Sequence, residues 1–155
     1  MRFAEIATNG AFEDAADDRE VERASRIDFD ASDVGAWAEQ LSQYELDHLP
    51  FGAILLDRDG VVKFCNATEA RQSGYGVIPI GQNLFKISRR FGGDGFRGRI
   101  QRAMESGPFD LEFGWPHDDN DSTRQLRVRV LSSGNGGMWL FIDRDKAEAE
   151  QAAAG

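Results

Sequence analysis

The stretch that decides the architecture is Gly52-Ala53-Ile54-Leu55-Leu56-Asp57, Arg58-Asp59-Gly60, Val61-Val62-Lys63-Phe64-Cys65. Two β-rich runs flank an Asp-Gly pair, and the glycine accepts the positive φ that tight hairpin turns require. The segment reads as strand, turn, strand. On its C-terminal side Asn66 is placed to cap a short helix that carries Ala67, Thr68 and Glu69 and ends near Ser73-Gly74. Gly92, Gly93 and Gly95 read as a flexible loop, and Phe96, Ile100, Ala103 and Met104 then recur at helical spacing. Beyond Gly107-Pro108 the chain alternates again at Phe109, Leu111, Phe113 and Trp115 and at Leu126, Val128 and Val130. It closes with Met138-Trp139-Leu140-Phe141-Ile142. Two strands, a block of helices and three strands predict an α+β domain with an antiparallel sheet.

On the N-terminal side, Val34, Trp37, Leu41 and Tyr44 lie at helical spacing after Ser32, which predicts an amphipathic helix over 32–48. Residues 1–30 hold nine acidic residues against four arginines, with apolar residues too sparse for a core, and read as a mobile arm. Residues 145–155 read as an Ala/Glu-rich tail, which leaves 31–144 as the domain and 49–144 as its core. At 155 residues there is room for one domain. A net charge of −9 argues against nucleic acid and anionic membranes as partners. The start, Met1-Arg2-Phe3-Ala4-Glu5, lacks the apolar core of a secretory signal, so a cytoplasmic location is expected. One cysteine and two histidines supply no zinc motif.

The sequence order resembles the PAS fold, a five-stranded antiparallel sheet with helices on one face, here with an added N-terminal helix. Leu49-Pro50-Phe51-Gly52-Ala53-Ile54, Leu56-Asp57, Asp59-Gly60, Asn66-Ala67-Thr68-Glu69, Ile80-Gly81 and Phe85 are similar to the first half of the photoactive yellow protein family. The resemblance runs from about Asp47 to Arg144. It implies a p-coumaroyl chromophore, thioester-linked to a cysteine, whose phenolate is held by a tyrosine and a buried protonated glutamate. Glu69 matches that glutamate, and Ser73 matches a supporting threonine. The tyrosine position holds Cys65, and a pocket-capping arginine is replaced by Tyr75. Ser88 to Gly93, where the cysteine belongs, contains no thiol. A thioester needs a thiolate, so no p-coumaric acid cofactor is expected.

The sites follow from these readings. Cys65, Glu69, Ser73, Tyr75 and Phe91 would line a ligand pocket if one persists, with Glu69 desolvated and titrating high or else exposed and helping to cap its helix. Val34, Trp37, Leu41 and Tyr44, with Arg127 and Arg129 on the sheet, form the expected partner surface. His117 beside Asp118, Asp119 and Asp121 reads as turn chemistry, and no metal is expected. The Gly92-Gly93-Asp94-Gly95 loop reads as a lid and not as a phosphate cradle, because it lacks the Lys-Ser/Thr ending. No nucleophile elbow or triad is present, so no enzyme is predicted. The leading expectation is a sensor or adaptor working through a histidine kinase or response-regulator component, or through a second copy of the chain. The alternatives are a small-molecule sensor using the pocket and a photoreceptor with attachment at Cys65.

Overall fold

The computed structural model describes residues 19, 21–73, 80–88, 90–116, 124–134 and 136–145. The hairpin forms as the sequence requires: β1 (Gly52–Leu56) pairs antiparallel with β2 (Val62–Cys65). Its turn is tied by Asp57, whose Oδ1 accepts from the amides of Asp59 and Val61, while Gly60 takes a φ of +95°. The remaining strands are β3 (Asp110–Trp115), β4 (Gln125–Ser132) and β5 (Met138–Asp145). Their order in the sheet is β2-β1-β5-β4-β3, all antiparallel neighbours, so β5 lies in the centre and β2 and β3 form the edges. No helix among the described residues is long and apolar enough to cross a membrane.

The alternation of side chains across each strand divides the molecule into two cores. On the inner face Ile54, Leu56, Leu126, Val128, Val130, Met138, Leu140 and Ile142 are buried against Phe96 and Ile100. Those two belong to the longest helix, Asp94–Glu105. On the outer face Ala53, Leu131, Trp139 and Phe141 pack with Ala24, Phe29, Val34, Ala38, Leu46, Leu49 and Phe51. The sheet is apolar on both sides, and its outer side is covered by the chain's own N-terminal region.

That cover differs from the expected arm and single helix. Residues 21–30 pack on the sheet, with a helical turn α1 (residues 21–25), and Ala24 and Phe29 are buried because they shield the apolar outer face. Residues 1–18 lie outside the described residues. The helix expected over 32–48 is two helices, α2 (Val34–Gln40) and α3 (Gln43–Leu46). The break is chemical: Ser42 and Glu45 form a capping box, Ser42 Oγ accepting from Glu45 N at 3.1 Å and Glu45 Oε1 accepting from Ser42 N at 3.0 Å. Arg23 of α1 donates to the other oxygen of Glu45, which is buried. The N-cap of α2 is Asp33 and not Ser32. Strand β5 reaches Asp145, where the tail was expected to begin, and residues 146–155 lie outside the described residues.

Helices α4 (Ala67–Ser73), α5 (Leu84–Ile87) and α6 (Asp94–Glu105) connect β2 to β3. The glycine segment leads directly into α6: Gly93 is the N-cap of α6, and before it Phe91 N donates to Ser88 Oγ at 3.0 Å.

Candidate functional site

Asn66 organises the junction of β1, β2 and α4. Its side chain is fully buried; Oδ1 accepts from Ala53 N and Glu69 N, both at 2.9 Å, and Nδ2 donates to the carbonyls of Leu46 at 2.7 Å and Phe51 at 3.1 Å. The capping role expected of Asn66 is one part of a larger task, because the same amide also fixes the chain entering β1. Asp47 and Thr68 reinforce the arrangement: Asp47 Oδ1 accepts from Ala67 N at 2.8 Å, and Thr68 Oγ1 donates to Leu49 O at 2.7 Å. The start of α4 is therefore set rigidly against the inner end of β1.

That placement buries Glu69. Its carboxylate is met by the guanidinium of Arg144 from the far end of β5, Nη1 donating to Oε1 at 2.6 Å and Nη2 to Oε2 at 3.0 Å, with side-chain exposures of 6% for Arg144 and 5% for Glu69. Parallel fork-to-fork donation onto both oxygens is the geometry of an ionised pair. Gly52 makes room for it: a Cβ at that position would lie 2.1 Å from Glu69 Oε1. Glu69 is buried, as in the desolvated reading, but it faces a cation that this reading did not include. Arg144 is the member of this candidate site that sequence reasoning missed. It stands 75 positions from Glu69, at the end of a strand pattern that gives no sign of pointing a charge inward.

Cys65 is buried beside this pair, and its Sγ donates to Asn66 O at 3.8 Å. Burial pushes the thiol up to about 12, the Glu69 carboxylate adding to that and Arg144 opposing it. A thiol raised in this way has little thiolate at neutral pH and is a poor nucleophile. Ser73 is buried at the end of α4. Phe91 is buried within an aromatic cluster, 5.2 Å from Phe96 and 6.1 Å from Trp115. Tyr75 lies outside the described residues, as do His117 and Asp118 to Asp121. Among the described residues no group of three or more His, Cys, Asp or Glu is placed to hold a metal ion.

The structure distributes the expected partner surface unevenly. Val34 is 1% exposed and serves the outer core, and Leu41 packs against the same cluster. Arg129 is 6% exposed: its Nη1 donates to Phe29 O at 2.7 Å and Ala31 O at 2.8 Å, and its remaining nitrogens reach Asp110. Arg129 is enclosed because the outer face that alternation alone would leave in solvent is roofed by residues 21–51, and Val34 belongs to that roof. Arg127 is partly covered, with its guanidinium 4.9 Å over the Phe29 ring and bonded to Asp30 and Glu112. Trp37 at 40% and Tyr44 at 39% are the members of the set that remain exposed. Trp37 borders an open cleft shared with Arg19, Arg26 and Ile27.

The roof is fastened by Glu39 of α2. One oxygen, Oε2, accepts from Trp139 Nε1 at 2.8 Å, Ser133 Oγ at 2.9 Å and Gly134 N at 3.3 Å. Burial raises its pKa, but these bonds from Trp139, Ser133 and Gly134 outweigh it and leave the carboxyl below the ordinary glutamate value.

The residues do not fit the chromophore chemistry that the resemblance implies. The segment 88–93 offers a serine whose hydroxyl already accepts from Phe91 N, the only thiol is buried, and both oxygens of Glu69 are engaged by Arg144.

No protein-family model matches the chain. Individual relatives do. The chain is 27% identical over 121 residues to the photoactive yellow protein of Rhodothalassium salexigens, spanning 76% of this chain and 97% of that protein. It is 30% identical over 103 residues to the photoactive yellow protein of Cereibacter sphaeroides, spanning 63% and 82% respectively. Among solved structures, it is similar to the photoactive yellow protein domain of the sensor histidine kinase Ppr from Rhodospirillum centenum. That match has a TM-score of 0.57 at 31% identity and covers 68% of this chain and 94% of that domain. With this sheet order, the retained Asn66-Ala67-Thr68-Glu69 segment and these relatives, the chain belongs to the photoactive yellow protein family of PAS domains.

Proposed function

We propose that the chain is a sensory PAS module without enzymatic activity, which has given up covalent chromophore binding and signals by contact with a protein partner of a histidine-kinase pathway. The observation that carries this reading is the buried Glu69–Arg144 pair: the carboxyl that the resemblance assigns to a phenolate is satisfied from within the chain. The burial of Cys65, which pushes its thiol up to about 12, supports it, since the photoreceptor alternative needs that sulfur as a nucleophile. The parent of the Ppr domain, a sensor histidine kinase, supports the choice of pathway. Trp37 and Tyr44 are the proposed contact residues, because large exposed aromatics concentrate at interfaces. The small-molecule alternative has less to rest on, since a ligand reaching Glu69 has to displace the Arg144 guanidinium.

The test has two arms. The purified chain treated with activated p-coumaric acid is expected to keep its mass and gain no visible absorbance band, and a coloured adduct would overturn the loss of photochemistry. Crosslinking from native lysate is expected to capture a histidine kinase or response regulator in a manner abolished by Trp37→Ala. Capture of neither class would overturn the pathway.

A further inference from the structure

Phe96 of α6 is the centre of an aromatic cluster between α6, α5 and the edge strand β3. Its ring lies 4.4 Å from Phe113, 5.2 Å from Phe91, 5.9 Å from Trp115 and 6.3 Å from Phe85. Three guanidinium groups lie over the outer rings of this cluster: Arg99 at 4.4 Å from the Phe113 centroid, Arg90 at 5.2 Å from Trp115 and Arg97 at 5.7 Å from Phe85. Arg97 and Arg99 are exposed, and so is Arg102, which shares a helix face with Arg99.

The chain's charge is divided in the same place. Residues 86–102 contain six basic side chains and one acidic, a local charge of +5 in a protein of net −9, so the remainder carries −14. Arg97 and Arg99 each lay a flat face on a ring, which leaves the in-plane N–H fork to meet a carboxylate, and a side chain already held in place loses less freedom on binding. Charge alone would be served as well by lysines spread over a solvated face. Arginines offer in addition a planar fork that matches a carboxylate bidentately.

We propose that this arginine-capped aromatic cluster on α6 and β3 is a docking surface for an Asp/Glu-rich segment of a partner protein. The proposal rests on the reading that the chain signals by protein contact, and it names the chemistry of the partner. It lies on the inner-face side of the sheet, away from Trp37 and Tyr44 on the outer cover. An acidic peptide is favoured over nucleic acid, because a long polyanion would also meet the negative remainder of the surface.

The probe is a short fluorescein-labelled peptide of Asp and Glu, titrated with the full chain and followed by anisotropy. Saturable binding that weakens as salt is raised is expected. Replacing Arg97, Arg99 and Arg102 together with Lys keeps the charge and removes the planar forks, and is expected to weaken binding at least about fivefold. Arg99→Glu with Arg102→Glu is expected to abolish it. The thermal midpoint of each variant checks that the fold is intact, and Arg97→Lys alone serves as the milder variant if the triple substitution unfolds. Absence of saturable binding, equal affinity in the folded lysine variant, or tighter binding of a short single-stranded DNA would each overturn the proposal. Trp37-dependent capture of a pathway protein would survive such a failure, which separates this surface from the reading it rests on.

Discussion

Replacing Arg144 with Met removes the guanidinium from a carboxylate that is itself 5% exposed, without opening a large void. Breaking a buried ion pair from one side costs about 3–5 kcal/mol, because the remaining charge keeps its desolvation penalty and loses the opposite charge that offset it. A chain of this size shifts its midpoint by about 2–4 °C per kcal/mol, so a fall of roughly 6–20 °C is expected. Glu69→Leu should cost a similar amount by taking the buried carboxylate away from Arg144. The double variant Glu69→Leu/Arg144→Met leaves no buried charge in the pair. It should lie close to the wild-type chain or above it, since exchange of a buried pair for apolar residues is often neutral or stabilising by about 1–4 kcal/mol. Urea denaturation followed by tryptophan fluorescence measures all four proteins, and the coupling energy comes from the cycle. Single variants within about 1 kcal/mol of wild type, or additive losses in the double variant, would refute the argument that Arg144 neutralises Glu69 inside the core.

Three further outcomes follow from other contacts. Glu39 has a depressed folded-state value, so its contribution is present above the ordinary glutamate range and is lost as pH falls through the folded value. Glu39→Gln should therefore be less stable than wild type at pH 7 by under about 1 kcal/mol after solvent screening, with the gap closing in acid. Denaturation series across pH check this, and a pH-independent gap would contradict it. Cys65 should react with a thiol reagent far more slowly in the native chain than in denaturant at pH 8, given a thiol pushed up to about 12; labelling at the rate of a free cysteine would show otherwise. Asn66→Ala should cost at least about 3 kcal/mol in chemical denaturation, because it removes the shared acceptor of the Ala53 and Glu69 amides and a donor to the carbonyls of Leu46 and Phe51 at once.

The parts of this molecule that are legible in its sequence are those written in short-range chemistry. The β1–β2 hairpin is specified by Asp57 and Gly60 between two β-rich runs, and the α6 helix by Phe96 and Ile100 one turn apart. Glu69 is marked by its place in Asn66-Ala67-Thr68-Glu69. The break after α2 was also encoded locally, in Ser42 and Glu45, but the apolar repeat of Trp37, Leu41 and Tyr44 runs straight across it and suggests one helix. Arg129 shows a different limit. An arginine alternating with Arg127 on a strand reads as solvent-facing, and only the return of Phe29 and Ala31 from about a hundred positions earlier buries it. Arg144 has no local signature at all, since its meaning depends on where α4 comes to rest.

The central position of β5 bears on how the chain is made. Strand β1 pairs with β2 on one side and waits for β5 on the other, with Gly52 opposite Ile142, so about ninety residues must be synthesised before that ladder can close. The N-terminal cover waits equally long, because Trp139 and Phe141 form part of its floor and Trp139 supplies one of the bonds that hold Glu39. Residues 21–51 therefore leave the ribosome well before the surface they will cover exists, and the sheet and its roof are completed together when β5 emerges.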